Sequence, residues 1–392
     1  MRFETSIFAD LLKPISRRRF AACVARHDGD AYDKSFGSWQ HLVALIYAQL
    51  GHASSLRSLE TGWNANSHHH YHLGCGRLAR ATLADANTRR PPAIFAETFA
   101  QLSGLADRAL RKEGSAMIRL IDSSPIPLGE LSQWRTSNGR IRGLKLHVVY
   151  DPNADHPSRV DITQANINDV EIGSTVAAEA GATYVFDKGY CSYAWWQEIH
   201  AGQAFFVTRK KSNARFTITG TRPVTQGTGD GFTVVEDCEV KLASNGKDTK
   251  RPKLDMPLRR IKVKRDEAGE LTLLTNDMSR PAVEIAALYK LRWQIELLFR
   301  WLKQNLKLAN FLGRSENAVR LQIYAAMIAF LLLRLAARAK RIALRPIRFA
   351  ELVADCLMQR KSIAQIDKPP RVNPSRPREP RLDPRQLSLD YE

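Results

Sequence analysis

The sequence predicts a mixed α/β protein, in which a sheet carries helices on its faces and has helical segments before and after it. Residues 1 to about 110 show the spacing of amphipathic helices. From about residue 115 the apolar residues come in short runs rich in branched and aromatic side chains, which indicates strands. Three such strands come first, and strands then alternate with helices, an order typical of a mixed sheet covered by helices.

Residues 1–110 are predicted to form a helical domain. SWQHLVALIYAQLG predicts a helix from Ser38, a suitable N-cap, to Gly51. SSLRSLE follows after a short turn and suggests a helix-turn-helix, and RATLADANTRR places small polar and basic residues on a further helix. Such helices suit the major groove of DNA, but a bundle with a basic solvated face has the same pattern, so both interpretations stay open.

Residues 111–211 are predicted to be the first part of the α/β core. MIRLIDSS, RGLKLHVVYD and SRVDIT read as three strands, followed by the helix DVEIGSTVAAEAG, the strand TYVF, the helix SYAWWQEIHAG and the strand AFFVTRKK. Asn166, Asn168 and Asp169 precede the first of these helices, and we interpret them as its N-cap.

The rest of the chain predicts a β-rich insertion over residues 212–278, then helices. RFTITGT, GFTVVEDCEVKL, LRRIKVKR and GELTLLTN form a run of strands separated by Gly, Asn and Asp. Within residues 279–310 we expect one long helix from about Arg280 to Leu308, with Ser279 and Pro281 at its start. Residues 311–365 predict C-terminal helices, and the Pro- and Arg-rich residues 366–392 predict a disordered basic tail.

Charge and hydropathy restrict the class of partner. The 392 residues carry 59 Lys+Arg against 40 Asp+Glu, a net charge of +19. Such an excess favours polyanions, with nucleic acid ahead of an anionic membrane surface. The N-terminus has no signal-peptide layout, and the apolar run from Ile323 to Leu335 is too short for a bilayer. We therefore expect a cytoplasmic protein that does not enter the membrane.

Cysteines and histidines do not predict a metal site. The five scattered cysteines lack a CxxC pair, so we expect free thiols. His68, His69, His70 and His72 crowd together in SHHHYHLG, but no cysteine or acid lies beside them at zinc-ligand spacing. His147, on a predicted strand with Lys145, fits a packed side chain and a DNA contact equally well.

The stretch YKLRWQIELLFRWLKQ has an unusual polar stripe. Its polar side chains recur at steps of three or four and fall within roughly an 80° arc of a helix between apolar flanks. They are Tyr289, Arg292, Glu296, Arg300 and Lys303. Solvated Glu–Arg pairs at such spacing stabilise a helix by only about 0.3–0.5 kcal/mol and do not explain so narrow a stripe. A charged stripe on a core helix indicates a site, with metal facing Glu296 and phosphate facing the cations.

Two aspartates complete a set of candidate metal ligands. Asp122 ends the predicted strand MIRLI, and Asp187 ends the predicted strand TYVF. Each aspartate is also followed by residues that favour a turn, so a purely turn-forming role is the alternative for both. Phosphoryl transfer with two Mg²⁺ ions needs several carboxylates on one centre. If the two strands are neighbours, Asp122 and Asp187 can meet there.

These residues resemble the DDE transposases of bacterial insertion sequences, in particular the insertion-sequence-four family. That family's glutamate helix carries Tyr, Arg, Glu and Lys at the spacing of Tyr289, Arg292, Glu296 and Lys303. The resemblance spans roughly residues 110 to 335, and the segments FADLLKPISRRRF, YHLG and TLADAN resemble the helical domain ahead of the core in one branch of the family.

The resemblance implies a ribonuclease-H-like catalytic core with an all-β insertion, preceded by a helical N-terminal domain and followed by C-terminal helices. It implies cut-and-paste DNA transposition with two Mg²⁺ ions, replaceable by Mn²⁺, held by Asp122, Asp187 and Glu296. Tyr289, Arg292 and Lys303 would hold DNA phosphates, and Arg300 is added as a DNA contact because it lies on the stripe. The family also implies terminal inverted repeats, a target DNA, a homodimer on paired ends and a hairpin intermediate.

Two other functions remain open at this point. One is a nuclease of the same fold that cleaves without strand transfer, and the other is a catalytically silent DNA-binding regulator. Trp293 and Trp301 flank the stripe, and we expect both to pack in the core.

Overall fold

In the computed structural model, the described part of the chain forms one mixed sheet with helices on both faces. The described residues are 5–33, 35–51, 53–111, 114–128, 134, 136–137, 142–224, 227–242, 254–267, 269–305 and 311–367. The predicted tail therefore lies outside them, apart from its first two residues.

Seven helices precede the sheet in the described part of the chain. They are α1 (Ile7–Leu12), α2 (Arg17–Arg26), α3 (Ser38–Leu50), α4 (Leu56–Ala65), α5 (His70–Leu73), α6 (Arg80–Arg89) and α7 (Ala93–Leu110). The start of α3 differs from the prediction by one residue. Ser38 is helical and Gly37 is the N-cap, and the backbone N–H of Ser38 donates to Oδ1 of Asp30 (2.6 Å). Most of α3 is buried, so it is a core helix of this region.

The strands and later helices follow the predicted order. The strands are β1 (Ile118–Pro127), β2 (Thr136–Ser137), β3 (Arg142–Asp151), β4 (His156–Gln164), β5 (Thr183–Phe186), β6 (Phe205–Arg209), β7 (Phe216–Thr221), β8 (Thr228–Gly229), β9 (Phe232–Leu242), β10 (Leu258–Arg265) and β11 (Gly269–Thr275). The helices are α8 (Asp169–Gly173), α9 (Tyr193–Ala201), α10 (Ala282–Lys290), α11 (Trp293–Asn305), α12 (Glu316–Ala339) and α13 (Pro346–Cys356).

All of these strands belong to one sheet. Its order is β2-β3-β1-β5-β6-β11-β10-β9-β7, with β4 paired to β3 and β8 paired to β9. β1, β5 and β6 run parallel to one another, and the other pairings are antiparallel. The predicted mixed sheet is therefore confirmed. β7 to β11 do not form a sheet of their own, because β11 pairs with β6 and continues the sheet from the first part of the core.

Successive residues of β5 face two different hydrophobic clusters, as the period-two geometry of a strand requires. Tyr184 and Phe186 face the cluster that contains α9, where the rings of Trp195 and Phe186 lie 4.8 Å apart. Val185 faces the opposite cluster, which contains the N-terminal helices and α12. Since both faces are covered, β5 is buried along its whole length.

α12 is the central helix of the larger cluster. It is apolar and long enough to cross a membrane, but 83% of its most apolar window is buried inside the protein. It packs against α3, α6, α7 and β4, and so joins the N-terminal helices to the sheet.

Two predicted helices differ in the structure. The helix predicted from DVEIGSTVAAEAG is confined to Asp169–Gly173. The helix predicted as continuous from Arg280 to Leu308 is two helices, α10 and α11, separated by Leu291 and Arg292. The backbone tightens there, because the N–H groups of Arg292, Gln294 and Ile295 bond to carbonyls three residues back. No Gly or Pro marks this break in the sequence.

Candidate active site

The register of two parallel strands places Asp122 beside Asp187. In the β1–β5 pairing, Ile121 lies opposite Phe186, and each aspartate is the next residue along. The condition under which the two aspartates can meet, that their strands are neighbours, is therefore met. Asp122 does not end its strand, however, since β1 continues to Pro127 with Asp122 opposite Val148 of β3. It lies instead where the parallel pairing with β5 ends, at the edge where loops leave the sheet.

The break between α10 and α11 brings the polar stripe to this edge. One guanidinium nitrogen of Arg292 donates to Oδ2 of Asp122 (2.9 Å), and the other donates to Oε1 of Glu296 (2.5 Å). The hydroxyl of Tyr289 donates to Oδ1 of Asp187 (3.2 Å). The structure thus brings together the three predicted carboxylates with Tyr289 and Arg292.

Burial and mutual repulsion act on the carboxylate of Asp122. The pKa of Asp122 is raised to about 6: burial is the main cause and the negative charges of Glu296 and Asp187 add to it, while Arg292 and the N–H of Ser123 oppose the increase. The side chain of Asp122 is only 18% exposed. Burial also raises the pKa of Tyr289, so its phenol stays protonated and can donate to Asp187.

The far end of the predicted stripe lies outside this cluster. Arg300 and Lys303 are exposed, and neither forms an ion pair with a carboxylate of the described residues. The Arg300 guanidinium lies 5.7 Å from the ring centroid of Trp293. Trp293 is 51% exposed, so the expectation that it packs in the core is wrong. Trp301 does pack inward, 5.0 Å from the ring of Phe330.

The chemistry of the three carboxylates fits Mg²⁺, which prefers oxygen ligands. Nowhere in the described ranges are three His, Cys, Asp or Glu side chains grouped closely enough to hold a metal ion. At this edge the Arg292 guanidinium lies between Asp122 and Glu296, and the two carboxylates share its single positive charge. A metal held jointly by these carboxylates therefore requires Arg292 to leave that position.

Further polar residues of the site were not predicted from the sequence. Arg209, at the end of β6, lies 3.8 Å from Oδ1 of Asp187. Its position follows from the strand register, since Phe186 lies opposite Thr208 and the next residue of each strand comes after it. Strand-end charges on the third parallel strand are the signal that could have identified it.

Asp169 connects to the strands β1 and β3 beside the candidate site. Its Oδ1 accepts hydrogen bonds from Ser123 Oγ (2.9 Å) and Lys145 Nζ (3.2 Å). A Cβ built on Gly189 would lie 3.2 Å from its Oδ2. The N-cap interpretation holds for Asn168, which precedes α8 and whose N–H donates to Glu171 (3.4 Å), but Asp169 belongs to this second network.

The histidines have packing roles. His147 is buried and contacts Tyr190 Oη (3.3 Å) and Thr163 Oγ1 (2.9 Å), and burial lowers the pKa of its imidazole to about 4. His70 stacks on Trp63, with ring centroids 4.6 Å apart. Both observations favour packing over contact with DNA or metal.

Comparison with known proteins gives consistent matches. Residues 113–332 match the model of the "Transposase DDE domain" family, and residues 4–76 match a domain of unknown function, DUF4372. The chain is 60% identical over 309 residues to "Putative transposase y4zB" of Sinorhizobium fredii (strain NBRC 101917 / NGR234). The aligned region covers 79% of this chain and 85% of that protein.

More distant matches have similar names. "Probable transposase for insertion sequence element IS5377" of Geobacillus stearothermophilus is 30% identical over 220 residues, covering 55% of this chain and 56% of that protein. "Putative transposase for insertion sequence element IS4SA" of Synechocystis sp. (strain ATCC 27184 / PCC 6803 / Kazusa) is 25% identical over 259 residues, covering 65% and 71%. A piggyBac transposase synaptic complex with hairpin DNA superposes with a TM-score of 0.47 at 12% identity, covering 93% of this chain and 80% of that one.

The family model covers more than half of the chain and includes Asp122, Asp187 and Glu296. Together with the 60% identity to the Sinorhizobium protein over most of both sequences, this match shows that the chain belongs to the family of transposases with a DDE domain.

Proposed function

We propose that this transposase moves an insertion sequence by cut-and-paste, cutting DNA strands and joining them to a target by phosphoryl transfer. The observation that carries the proposal is the convergence of Asp122, Asp187 and Glu296 at one edge of the sheet. Three carboxylates would be costly to gather without a counter-charge, and here Arg292 contacts Asp122 and Glu296 while Arg209 lies 3.8 Å from Asp187.

Asp122, Asp187 and Glu296 are the residues that would hold Mg²⁺, for which Mn²⁺ could substitute. Two such ions, when bound, lower the pKa of the attacking hydroxyl and stabilise the charge on the leaving oxygen. Asp122, whose charge interacts with those of both Glu296 and Asp187, would be shared. Asp169, which accepts hydrogen bonds from Ser123 and Lys145, would hold the part of β1 next to Asp122 in place.

The cations of the stripe would hold the DNA backbone. Arg292 could release Asp122 and Glu296, each of which takes one of its nitrogens, and turn both nitrogens to one phosphate, because a phosphate accepts two parallel N–H bonds from a guanidinium. Tyr289 would donate to a phosphate oxygen near Asp187. The exposed Lys303 and Arg300 lie further along α11 and would contact phosphates away from the cut.

The substrate in this proposal is double-stranded DNA with terminal inverted repeats, held by a homodimer and passed to a target DNA in the cytoplasm. The hairpin intermediate and the Tyr-Arg-Glu-Lys assignment rest on the family resemblance. The helical residues 1–110 would bind DNA, residues 111–211 and 279–310 would form the ribonuclease-H-like core, and residues 212–278 would be its insertion.

An excision assay with Glu296→Gln tests the proposal. The gene is expressed beside its native flanks, the donor junction is sequenced, and purified protein is tested for Mg²⁺-dependent nicking. We expect the variant to lose more than about 100-fold in cleavage rate while still binding DNA. Substitution of a residue that only hydrogen-bonds to a metal ligand already reduces metal affinity or activity about 10- to 100-fold. Glu284→Gln, an exposed glutamate at the start of α10, is the matched control and should excise normally.

The other outcomes identify the alternatives. Nicking without excision or joining by the wild-type protein would favour the nuclease. DNA binding with neither reaction would favour the silent regulator. Normal excision by Glu296→Gln would remove Glu296 from the metal site.

A further inference from the structure

A second polar groove lies away from the carboxylates, between the N-terminal helices and the chain that follows α11. It has a volume of about 670 Å³ and is open to solvent. Its walls are the start of α4, one side of α6 and the segment from Phe311 to Ser315 that leads into α12. The groove therefore joins the region predicted to bind DNA with the segment directly after the catalytic helix.

The side chains of the groove suit an anion. Arg57, Arg80 and Arg314 line it and are exposed, whereas no Asp or Glu is among the described residues that line it. In the described part of the chain, no carboxylate lies within ion-pair distance of Arg57 or Arg80. At the α6 end, Glu60 accepts a hydrogen bond from the backbone N–H of Arg80 (3.0 Å).

Two helices begin at the groove. Ser55 and Ser315 are the N-caps of α4 and α12, and each accepts a hydrogen bond from the residue three positions on. The N–H groups of the first turn that the caps do not bind have no partner within the helix. Together with the helix dipoles, these N–H groups favour a negatively charged oxygen.

The floor of the groove contains an unsatisfied donor. Asn87 is 2% exposed and lines the groove, and its Oδ1 is used by His41 (2.8 Å). Its Nδ2 has no hydrogen-bond partner among the described residues. A Cβ built on Gly313 would lie 3.7 Å from this nitrogen, so the amide lies directly beneath the glycine of the groove wall. A buried donor without an acceptor is unfavourable, and an oxyanion in the groove would supply that acceptor.

We infer that this groove binds the sugar-phosphate backbone of DNA, at a position separate from the carboxylate site. Arginines, serine and threonine hydroxyls, backbone N–H groups and helix N-termini are the groups by which proteins hold DNA phosphates, and the groove presents all of them. The inference rests on the proposed function in taking DNA as the substrate. It adds that one duplex segment contacts α4 and α6 together with the segment after α11.

The salt dependence of DNA binding tests the groove. Binding to a duplex with the element's end sequence, and to an unrelated duplex of equal length, is measured by fluorescence anisotropy over a salt series. The variants are Arg57→Ala/Arg80→Ala and Arg57→Lys/Arg80→Lys. Each lost phosphate contact reduces the slope of log K against log salt by about 0.9, so the alanine pair should be shallower by about 2 for both duplexes. The lysine pair should retain most of the slope.

The matched control is Arg18→Ala/Arg19→Ala, which removes the same charge from the exposed face of α2, outside the groove. Its slope should stay close to that of the wild type. Circular dichroism and the melting temperature establish folding, and if the alanine pair does not fold, each single substitution should reduce the slope by about 1. An unchanged slope in folded groove variants, or an equal loss in the control, overturns the groove as a phosphate site.

The two proposals fail in different ways. Wild-type excision with groove variants of unchanged slope would overturn the groove alone. A chain that never cuts DNA but loses slope only in the groove variants would overturn the proposed catalysis and leave the groove standing.

Discussion

Arg292 connects two of the three carboxylates of the candidate site. Its guanidinium contacts Asp122 and Glu296, and the nearby hydroxyl of Tyr289 contacts Asp187. The spacing of the stripe predicted that these side chains share a site, because helical periodicity fixes which residues lie on one face. It could not predict that Arg292 would lie between the carboxylates, since that depends on the break at Leu291 and on the position of β1.

The raised pKa of Asp122 makes the active site a source of instability near neutral pH. Between the ordinary value of 3.8 and the folded value of about 6, the folded state binds more protons than the unfolded state. The contribution of Asp122 to stability is therefore present below about pH 4 and is lost as the pH rises through 6. Above that, the unfavourable term is at most about 3 kcal/mol, at roughly 1.4 kcal/mol per pKa unit.

We expect Asp122→Asn to be more stable than the wild type at pH 7, by up to about 3 kcal/mol. Loss of the ion pair with Arg292 reduces this gain. The difference should shrink as the pH falls from 6 to 4. Chemical denaturation of both proteins in chelator-containing buffer over this range measures it. A variant that is less stable than the wild type at every pH would show that the Arg292 contact outweighs the burial of the charge.

At the scale of elements, a buried ion pair holds β9, β10 and the start of α10 together. Arg259 on β10 makes two hydrogen bonds to Asp237 on β9 (2.7 and 2.5 Å), and both residues are almost fully buried. Arg259 also donates to the carbonyls of Asp277 (3.2 Å) and Arg280 (2.6 Å). The pair therefore connects the strands of the predicted insertion to the segment from which the stripe helices start.

Substitution of Asp237 by Asn should destabilise the protein by about 3–5 kcal/mol, because it leaves the Arg259 charge buried and uncompensated. Glu239→Gln on the same strand is the control. It removes an ion pair with Arg222 (3.1 Å) in which Glu239 is 44% exposed, and such pairs contribute about 1 kcal/mol or less. Urea denaturation of the two variants compares them. Equal losses would contradict a structural role for the buried pair.

The sequence predicted strands better than helix ends. Short segments such as TYVF and LRRIKVKR are strands as predicted, because a run of strand-forming side chains is a local signal. The division of the long helix into α10 and α11 was missed, since no Gly or Pro marks it and the tertiary contacts of Tyr289 and Arg292 decide it. The pairing of β11 with β6 was also beyond prediction, because strand order depends on contacts far apart in the chain.

At the scale of the whole molecule, the N-terminal helices and one face of the sheet share a single hydrophobic cluster. α12 lies in that cluster with α3 and α7 on one side and β4 on another. The boundary predicted near residue 110 does not interrupt the core. Composition indicated a helical region there but could not show that its apolar faces pack on a helix more than 200 residues later.

Leu331→Ala in the middle of α12 should therefore destabilise both regions together, by about 2–5 kcal/mol, since Leu331 is fully buried. Hydrogen exchange read separately for α3 and β1 measures the two losses. Ile347→Ala, at an exposed position of α13, is the control and should change the stability of α3 and of β1 by no more than about 0.5 kcal/mol each. Loss of protection in β1 alone would show that the N-terminal helices form an independent folding unit.

The position of α12 also limits how this transposase can be retargeted. If the N-terminal helices formed an independent DNA-binding domain, a foreign DNA-binding domain could replace them by simple fusion. Because their apolar faces close the same core as the sheet, a chimaera that lacks them would expose the buried surface of α12 to water. New specificity is therefore easier to graft onto the outer surfaces of α4 and α6, with the packing of the helices left as it is, than to obtain by exchanging the region as a whole.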